Sequence, residues 1–190
     1  MVARYIHQHS ARRHGPFVAI NCAAIPDTLL EATLFGYEKG AFTGAQQPQA
    51  GKFEQAQDGT LLLDEVTEMP LGLQAKLLCV LQEREVERVG GKKPISLNIR
   101  IVATSNRDMA EAVARGVFRE DLYYRLNVIE IRIPPLRERR EDVPMLARHL
   151  IERLSPELNK EINDISESAL KVLLEYDWPG NVRELENAIE

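Results

Sequence analysis

The run Thr60-Leu61-Leu62-Leu63-Asp64-Glu65 constrains the fold more than any other part of the chain. Three consecutive leucines leave no polar face. A strand of this kind must be covered on both sides, as in a parallel sheet flanked by helices. Phe17-Val18-Ala19-Ile20, ending at Asn21, and Ile99-Arg100-Ile101-Val102-Ala103-Thr104 read as further strands of that sheet. Residues 128–133 alternate apolar with charged and read as a fourth, more exposed strand. Helical patterns lie between. Val2 to His9 reads as the tail of a helix, and Gly15-Pro16 breaks the chain after it. Asp27 reads as the N-cap of a helix carrying Leu29, Leu30 and Leu34. A short helix is predicted over 52–57. Pro70 fits the first turn of another, with Leu73, Leu77, Leu78 and Leu81 as its apolar stripe. Alternation on either side of Gly90-Gly91 predicts a hairpin over 86–97.

Pro134-Pro135 marks a change of composition, and only helices follow: 142–154, 166–176 with Ser166 as N-cap, and a third from Pro179. Strands alternating with helices, then helices alone, predict an α/β parallel sheet over 1–134 and a small helical lobe over 135–190. A chain of 190 residues that is 44% hydrophobic and 28% charged is long enough for one core and a small second lobe, and its composition argues against disorder. No apolar run approaches a membrane span and no signal segment opens the chain, so a cytoplasmic place and no membrane partner are expected. The net charge of −5 gives no global drive toward nucleic acid. Cys22 and Cys79 read as buried free thiols, and His7 and His9 as residues of a solvated helix and not a metal site.

Asp64 and Glu65 end a buried parallel strand, where open α/β sheets place their ligands. One acid there can hold Mg²⁺, directly or through water, and its neighbour can orient and deprotonate a water molecule. The same pair also fits an ordinary strand end turning acidic at the surface. Thr104 and Asn106 close the next strand and suit either a loop start or the positioning of a water beside a phosphate. Arg119 and Arg125 stand among acids and aromatics, as on a solvated amphipathic helix with local ion pairs. Gly40-Ala41-Phe42-Thr43-Gly44-Ala45 carries no charge. Such a loop suits contact with another protein, or a flexible turn whose Phe42 returns to the core.

Taken together, the Gly40 to Ala45 run, the Thr60 to Glu65 run and Trp178-Pro179-Gly180-Asn181-Val182-Arg183-Glu184-Leu185 resemble the AAA+ ATPase domain of bacterial activators of sigma-54 RNA polymerase, the NtrC-like family, from the first residue to the last. The resemblance implies a cytoplasmic, Mg-dependent ATPase that works in transcription regulation, as two-component regulators do. It implies Asp64 as the Mg ligand and Glu65 as the residue acting on water. Asn21 matches the residue that holds the catalytic Glu away from that water, which makes Asn21 and Glu65 a switch pair. Thr104 and Asn106 match the sensor I region, and Arg183 the sensor II arginine that contacts nucleotide. Arg119 and Arg125 match arginines that reach a neighbour's phosphate, which requires a ring; the family implies a hexamer. Phe42 and Thr43, in the loop Gly40, Ala41, Phe42, Thr43, Gly44, Ala45, would touch the sigma factor above the pore. Glu38 would couple that loop to the nucleotide, and the hairpin around Gly90-Gly91 resembles a second pore loop. Residues 21–26 and 52–64 look most like activators of flagellar genes.

The family's phosphate cradle, Gly-x-x-x-x-Gly-Lys-Ser/Thr, is not found in the 190 residues. Gly51-Lys52 is followed by Phe53, with Gln46 where the first glycine would stand, and Gly91-Lys92 is followed by Lys93, with Val86 in that place. The opening residues resemble the helix that follows this loop, so the sequence is expected to be a fragment lacking the P-loop and the strand before it. Three expectations follow. ATP and Mg²⁺ belong to the parent protein and are held weakly or not at all by these residues alone, which should not hydrolyse ATP at a useful rate. The strand over 128–133 is displaced or pairs directly with the strand over 99–104. DNA contact would come only through a further C-terminal domain. The alternative from another class is a nucleotide-incompetent interaction module that docks on the sigma factor or on other ring subunits.

Overall fold

The computed structural model describes residues 1–158, 162 and 164–190. They divide into two compact units, Met1–Ile129 and Glu130–Glu190. In chain order the first unit holds α1 Val2–Gln8, β1 Phe17–Asn21, α2 Asp27–Phe35, β2 Gly36–Tyr37, β3 Gln49–Ala50, α3 Lys52–Gln55 and β4 Thr60–Asp64. A 3₁₀ turn, Val66–Glu68, leads to α4 Leu71–Glu83, β5 Glu85–Val86, β6 Ile95–Ser96, β7 Arg100–Ala103, α5 Met109–Ala114 and α6 Glu120–Leu126.

The main sheet is parallel, in the order β1-β4-β7. Its central strand is the leucine run: Leu61 and Leu63 are fully buried and Leu62 half-buried. Leu30, Leu34, Phe53, Leu77, Phe118 and Leu122 complete one hydrophobic core with them. In α4, Leu73, Leu77 and Leu78 are buried and Leu81 packs on the core at its edge, as the stripe predicts. β5 and β6 pair antiparallel as the two arms of the predicted hairpin.

Four expectations are corrected. Asp27 is the first residue of α2 and not its cap; Pro26 holds the cap position, and the carboxylate serves the helix from its first turn, facing the positive end of the dipole. His7 is buried and not solvated, with Nδ1 3.0 Å from Thr60 Oγ1, because α1 lays that face against the start of β4. Cys22 is buried as expected, whereas Cys79 is exposed on α4. Residues 128–133 form no strand. Val128, Ile129, Ile131 and Ile133 are exposed, and among the described residues no backbone hydrogen bond beyond Val128 N–H to Leu126 O holds this segment. A strand exists only through a partner ladder, and β7 pairs with β4 alone among the described residues.

The second unit holds α7 Val143–Glu157, α8 Glu167–Glu175 and α9 Asn181–Ile189. Ser166 caps α8 by accepting from Ala169 N–H at 3.2 Å, as its sequence predicts. Leu136, Val143, Leu150, Leu154, Trp178 and Leu185 make its core. Trp178 donates its indole N–H to Leu173 O at 2.7 Å, and Asn181 Oδ1 accepts from Leu136 N–H at 2.8 Å. No helix among the described residues is long and apolar enough to cross a membrane.

Candidate functional site

Register builds the first cluster. Asn21 lies opposite Asp64 across β1 and β4, and Leu63 lies opposite Ala103 across β4 and β7. The next residue of each pair of strands therefore brings Asp64 beside Thr104 at the carboxyl edge of the sheet. Asp64 Oδ2 accepts from Asn21 Nδ2 at 3.2 Å, and Oδ1 accepts from Thr104 Oγ1 at 2.5 Å. Both carboxylate oxygens are thus fixed. Asn21 Oδ1 in turn accepts from the N–H groups of Ala23 and Ala24. A single oriented carboxylate beside two neutral polar groups suits Mg²⁺, which keeps most of its waters and takes few protein ligands.

Glu65 follows at φ 55, ψ 49, in the left-handed region that a non-glycine residue occupies at a cost of about 1–2 kcal/mol. The turn lets the chain leave β4 while Val66 N–H still reaches Thr104 O at 2.9 Å. It points the Glu65 carboxylate to Asn106, whose N–H donates to Oε2 at 3.3 Å. The expected Asn21–Glu65 pair is not formed here: the Asn21 amide engages Asp64, and Glu65 is held from the opposite side by Asn106. Thr67 and Ser105 hydroxyls meet at 3.0 Å, and Arg107 bonds Glu68, which tie the two loops together. Burial pushes the nearby Cys22 thiol up to about 11, with the negative charge of Asp64 and Glu65 adding to the effect, so it stays protonated and unreactive.

Arg119 is exposed, just ahead of α6. Its guanidinium grips Asp121 with two bonds, at 3.0 and 2.7 Å. That grip holds the Asp121 carboxyl below its ordinary range and raises the arginine. Arg125, on α6, donates to Leu81 O at 2.9 Å. Neither arginine bonds Asp64 or Glu65. Arg183 lies exposed on α9 in the second unit and makes no ion pair among the described residues.

The second cluster is the loop Gly40 to Ala45. Gly40 N–H donates to Ala45 O at 2.8 Å and Ala45 N–H to Phe42 O at 3.0 Å, closing the loop on itself. Gly40 and Gly44 have φ of +83 and +106 with open space around them, so conformation and not room requires glycine. Ala45 is buried, whereas Phe42 is 43% exposed and rests edge-on against Tyr37, 4.9 Å away between ring centres. The ring is therefore at the tip and not in the core.

The hairpin is fastened to the base of this loop. Glu38 N–H donates to Val89 O at 3.0 Å and Val89 N–H to Gly36 O at 2.9 Å. A Cβ on Gly90 would stand 2.9 Å from the Ala41 Cβ. Arg88 donates to both Glu54 oxygens, at 2.9 and 2.7 Å, and to Glu38 at 3.1 Å. Of these three residues only Glu38 is singled out by the sequence; Arg88 and Glu54 carry no such signal. The Arg88 guanidinium holds the Glu54 carboxyl below the usual carboxylate range, against the opposing effect of burial.

A group whose folded value is depressed stabilises fully above its unfolded value, about 4.3, and loses that contribution as pH falls through the folded one. Glu54→Gln is therefore expected to cost about 1–3 kcal/mol near pH 7. The gap to wild type should close on acidification below about pH 4. Paired melting curves at the two pH values check this; a gap that stays constant would exclude the ion pair as its source.

Residues 1–132 match the family model of the sigma-54 interaction domain, and residues 137–190 match that of an AAA+ ATPase lid domain. Over its whole length the chain is 57% identical to the regulatory protein AtoC of Escherichia coli, covering 41% of that protein. It is 60% identical to the response regulator protein FleR of Pseudomonas aeruginosa, covering 40% of it. It is 58% identical to the transcriptional regulatory protein FlbD of Caulobacter vibrioides, covering 42% of it. The chain thus spans about two fifths of the length of these relatives. Among solved structures, NtrX of Brucella abortus superposes over the full chain with a TM-score of 0.92 at 39% identity, covering 42% of NtrX. NtrX has also been solved with ADP and with ATP, each with a TM-score of 0.91. A likeness to Hsp104, at a TM-score of 0.71 and 17% identity, is one of fold alone.

Proposed function

The chain belongs to the sigma-54 interaction family of AAA+ ATPase domains, and from that membership we propose that its 190 residues form the central ATPase segment of a longer transcriptional activator. One observation carries the reading: the parallel register that sets Asn21, Asp64 and Thr104 at one level, with Glu65 turned out just beyond them.

Asp64 would hold Mg²⁺, directly or through its waters, with its two oxygens already oriented by Asn21 and Thr104. The bound ion would neutralise charge on the phosphates of ATP. Glu65 accepts a proton from the attacking water, and the Asn106 N–H fixes the direction of its carboxylate. Thr104 and Asn106 stand where the terminal phosphate is sensed. Arg119 and Arg125 act on the neighbouring subunit of a hexameric ring. For Arg119 this requires release from Asp121. Arg183 serves the nucleotide from the lid. NtrX of Brucella abortus, solved with ADP and with ATP, supports nucleotide as the ligand class.

The output is mechanical. Turnover moves Phe42 and Thr43 against the sigma-54 factor and remodels the closed promoter complex. Glu38, Arg88 and Glu54 make the loop and the hairpin one body, which suits transmission of a push.

A phosphate-release assay tests this. The full-length protein is expected to turn over ATP, and the 190 residues alone are expected to show none, since they contain no phosphate cradle. Turnover by the 190 residues that is lost with Glu65→Gln would overturn the second expectation. A full-length protein without turnover that still binds sigma-54 would favour a docking module over a motor.

A further inference from the structure

Gln74 is fully buried, yet it lies on the inward stripe of α4 beside Leu73, Leu77 and Leu78. A polar amide in such a place must satisfy every group it carries. Gln74 does so with main-chain partners only. Nε2 donates to Met69 O at 2.7 Å and to Val117 O at 3.0 Å. Oε1 accepts from Arg119 N–H at 2.9 Å. Met69 closes the 3₁₀ turn that begins after Glu65, with its N–H on Val66 O at 3.2 Å. Val117 to Arg119 is the stretch from which the Arg119 side chain leaves the core, between the buried Phe118 and the N-terminus of α6.

We infer that Gln74 is a positioning residue for Arg119: one amide sets the backbone from which that arginine reaches out, and ties it to the turn that follows Glu65. The inference rests on the reading of Arg119 as an arginine that serves the neighbouring subunit. Gln74 hydrogen-bonds neither Asp64 nor Glu65; among the described residues its three bonds fall on Met69, Val117 and Arg119. Its effect on hydrolysis therefore runs mainly outward. A subunit without this amide keeps its own water-activating residue but presents its arginine badly to the next site. Displacing a catalytic group by about 1 Å costs on the order of 100-fold in rate.

The direction of that effect can be read by mixing. In the full-length protein, Gln74→Met replaces the amide by an apolar chain of similar length and is expected to lower turnover by about 100-fold with little change in KM. Glu65→Gln subunits are inactive for the opposite reason, with their arginines intact. In a random equimolar ring about one quarter of the sites join an intact Glu65 to an intact neighbouring arginine. The mixture is expected to recover turnover at least about tenfold above either protein alone. Arg119→Ala mixed with Glu65→Gln is the control. Recovery in both mixtures supports the inference. Recovery with Arg119→Ala but not with Gln74→Met overturns it and leaves the Arg119 reading standing. No recovery in either overturns both. Where Gln74→Met does not give a folded ring, Gln74→Asn, which retracts the amide by one methylene, takes its place in the same mixture.

Discussion

Glu65→Gln in the full-length protein is expected to lower ATP turnover by about 10²–10⁴-fold while leaving the affinity for ATP within about threefold, because it removes general-base catalysis and little else. The substitution is close to isosteric. The left-handed backbone at φ 55 is retained, since Gln tolerates it no worse than Glu. The Gln carbonyl oxygen can still accept the Asn106 N–H that Oε2 accepts now. Asp64, bonded to Asn21 and Thr104 and not to Glu65, keeps its geometry. What is lost is a group able to take a proton. Single-turnover phosphate release set beside equilibrium nucleotide binding separates the two effects. Turnover within about threefold of wild type would sink the assignment of Glu65. A parallel loss of binding would place Glu65 in the metal shell instead.

Much of this cluster is legible in the sequence because it depends on short, local rules. A leucine run that cannot face water has to be a central strand, and an acid pair at its carboxyl end has to arrive at the sheet edge. Register then does the rest, and it brings Asn21 and Thr104 to Asp64 without any further signal. The contacts that sequence reading misses depend on pairing between distant segments. Arg88 meets Glu54 and Glu38 across 34 and 50 positions, and nothing local marks Arg88 or Glu54 as partners. Residues 128–133 carry the alternation of a strand, but alternation describes only which face is apolar; the partner ladder is a tertiary property and is not made here. His7 reads as a surface residue by type, yet α1 turns it onto Thr60. Gln74 did leave a signal. An amide at an inward position of an otherwise apolar stripe predicts a buried polar anchor.

Phe42→Ala is expected to abolish the output while sparing the motor. The full-length protein should bind sigma-54 RNA polymerase about 30-fold or more weakly and form no open complexes, with ATP turnover within about twofold of wild type. The ring is the largest apolar group on the tip and is 43% exposed. Its one aromatic contact among the described residues is edge-on to Tyr37. Removing it leaves the loop's own bonds, Gly40 N–H to Ala45 O and Ala45 N–H to Phe42 O, untouched because they are main-chain. An aromatic anchor at the centre of a small contact commonly contributes about 2 kcal/mol or more, which is the source of the expected loss. Phe42→Tyr keeps the ring and adds only a hydroxyl to a side chain that is already 43% exposed, so it should retain most of the activity. A gel-shift or filter-binding assay for the open complex, run beside phosphate release, reads both quantities. Equal losses of turnover and of open complex would mean that Phe42 supports the fold of the ring. Open complexes at the wild-type level would mean that the contact is made elsewhere. Only the split between the two would identify a tip that carries force without helping to generate it, and the Glu38–Arg88–Glu54 fastening beneath it would then be what such a tip pushes from.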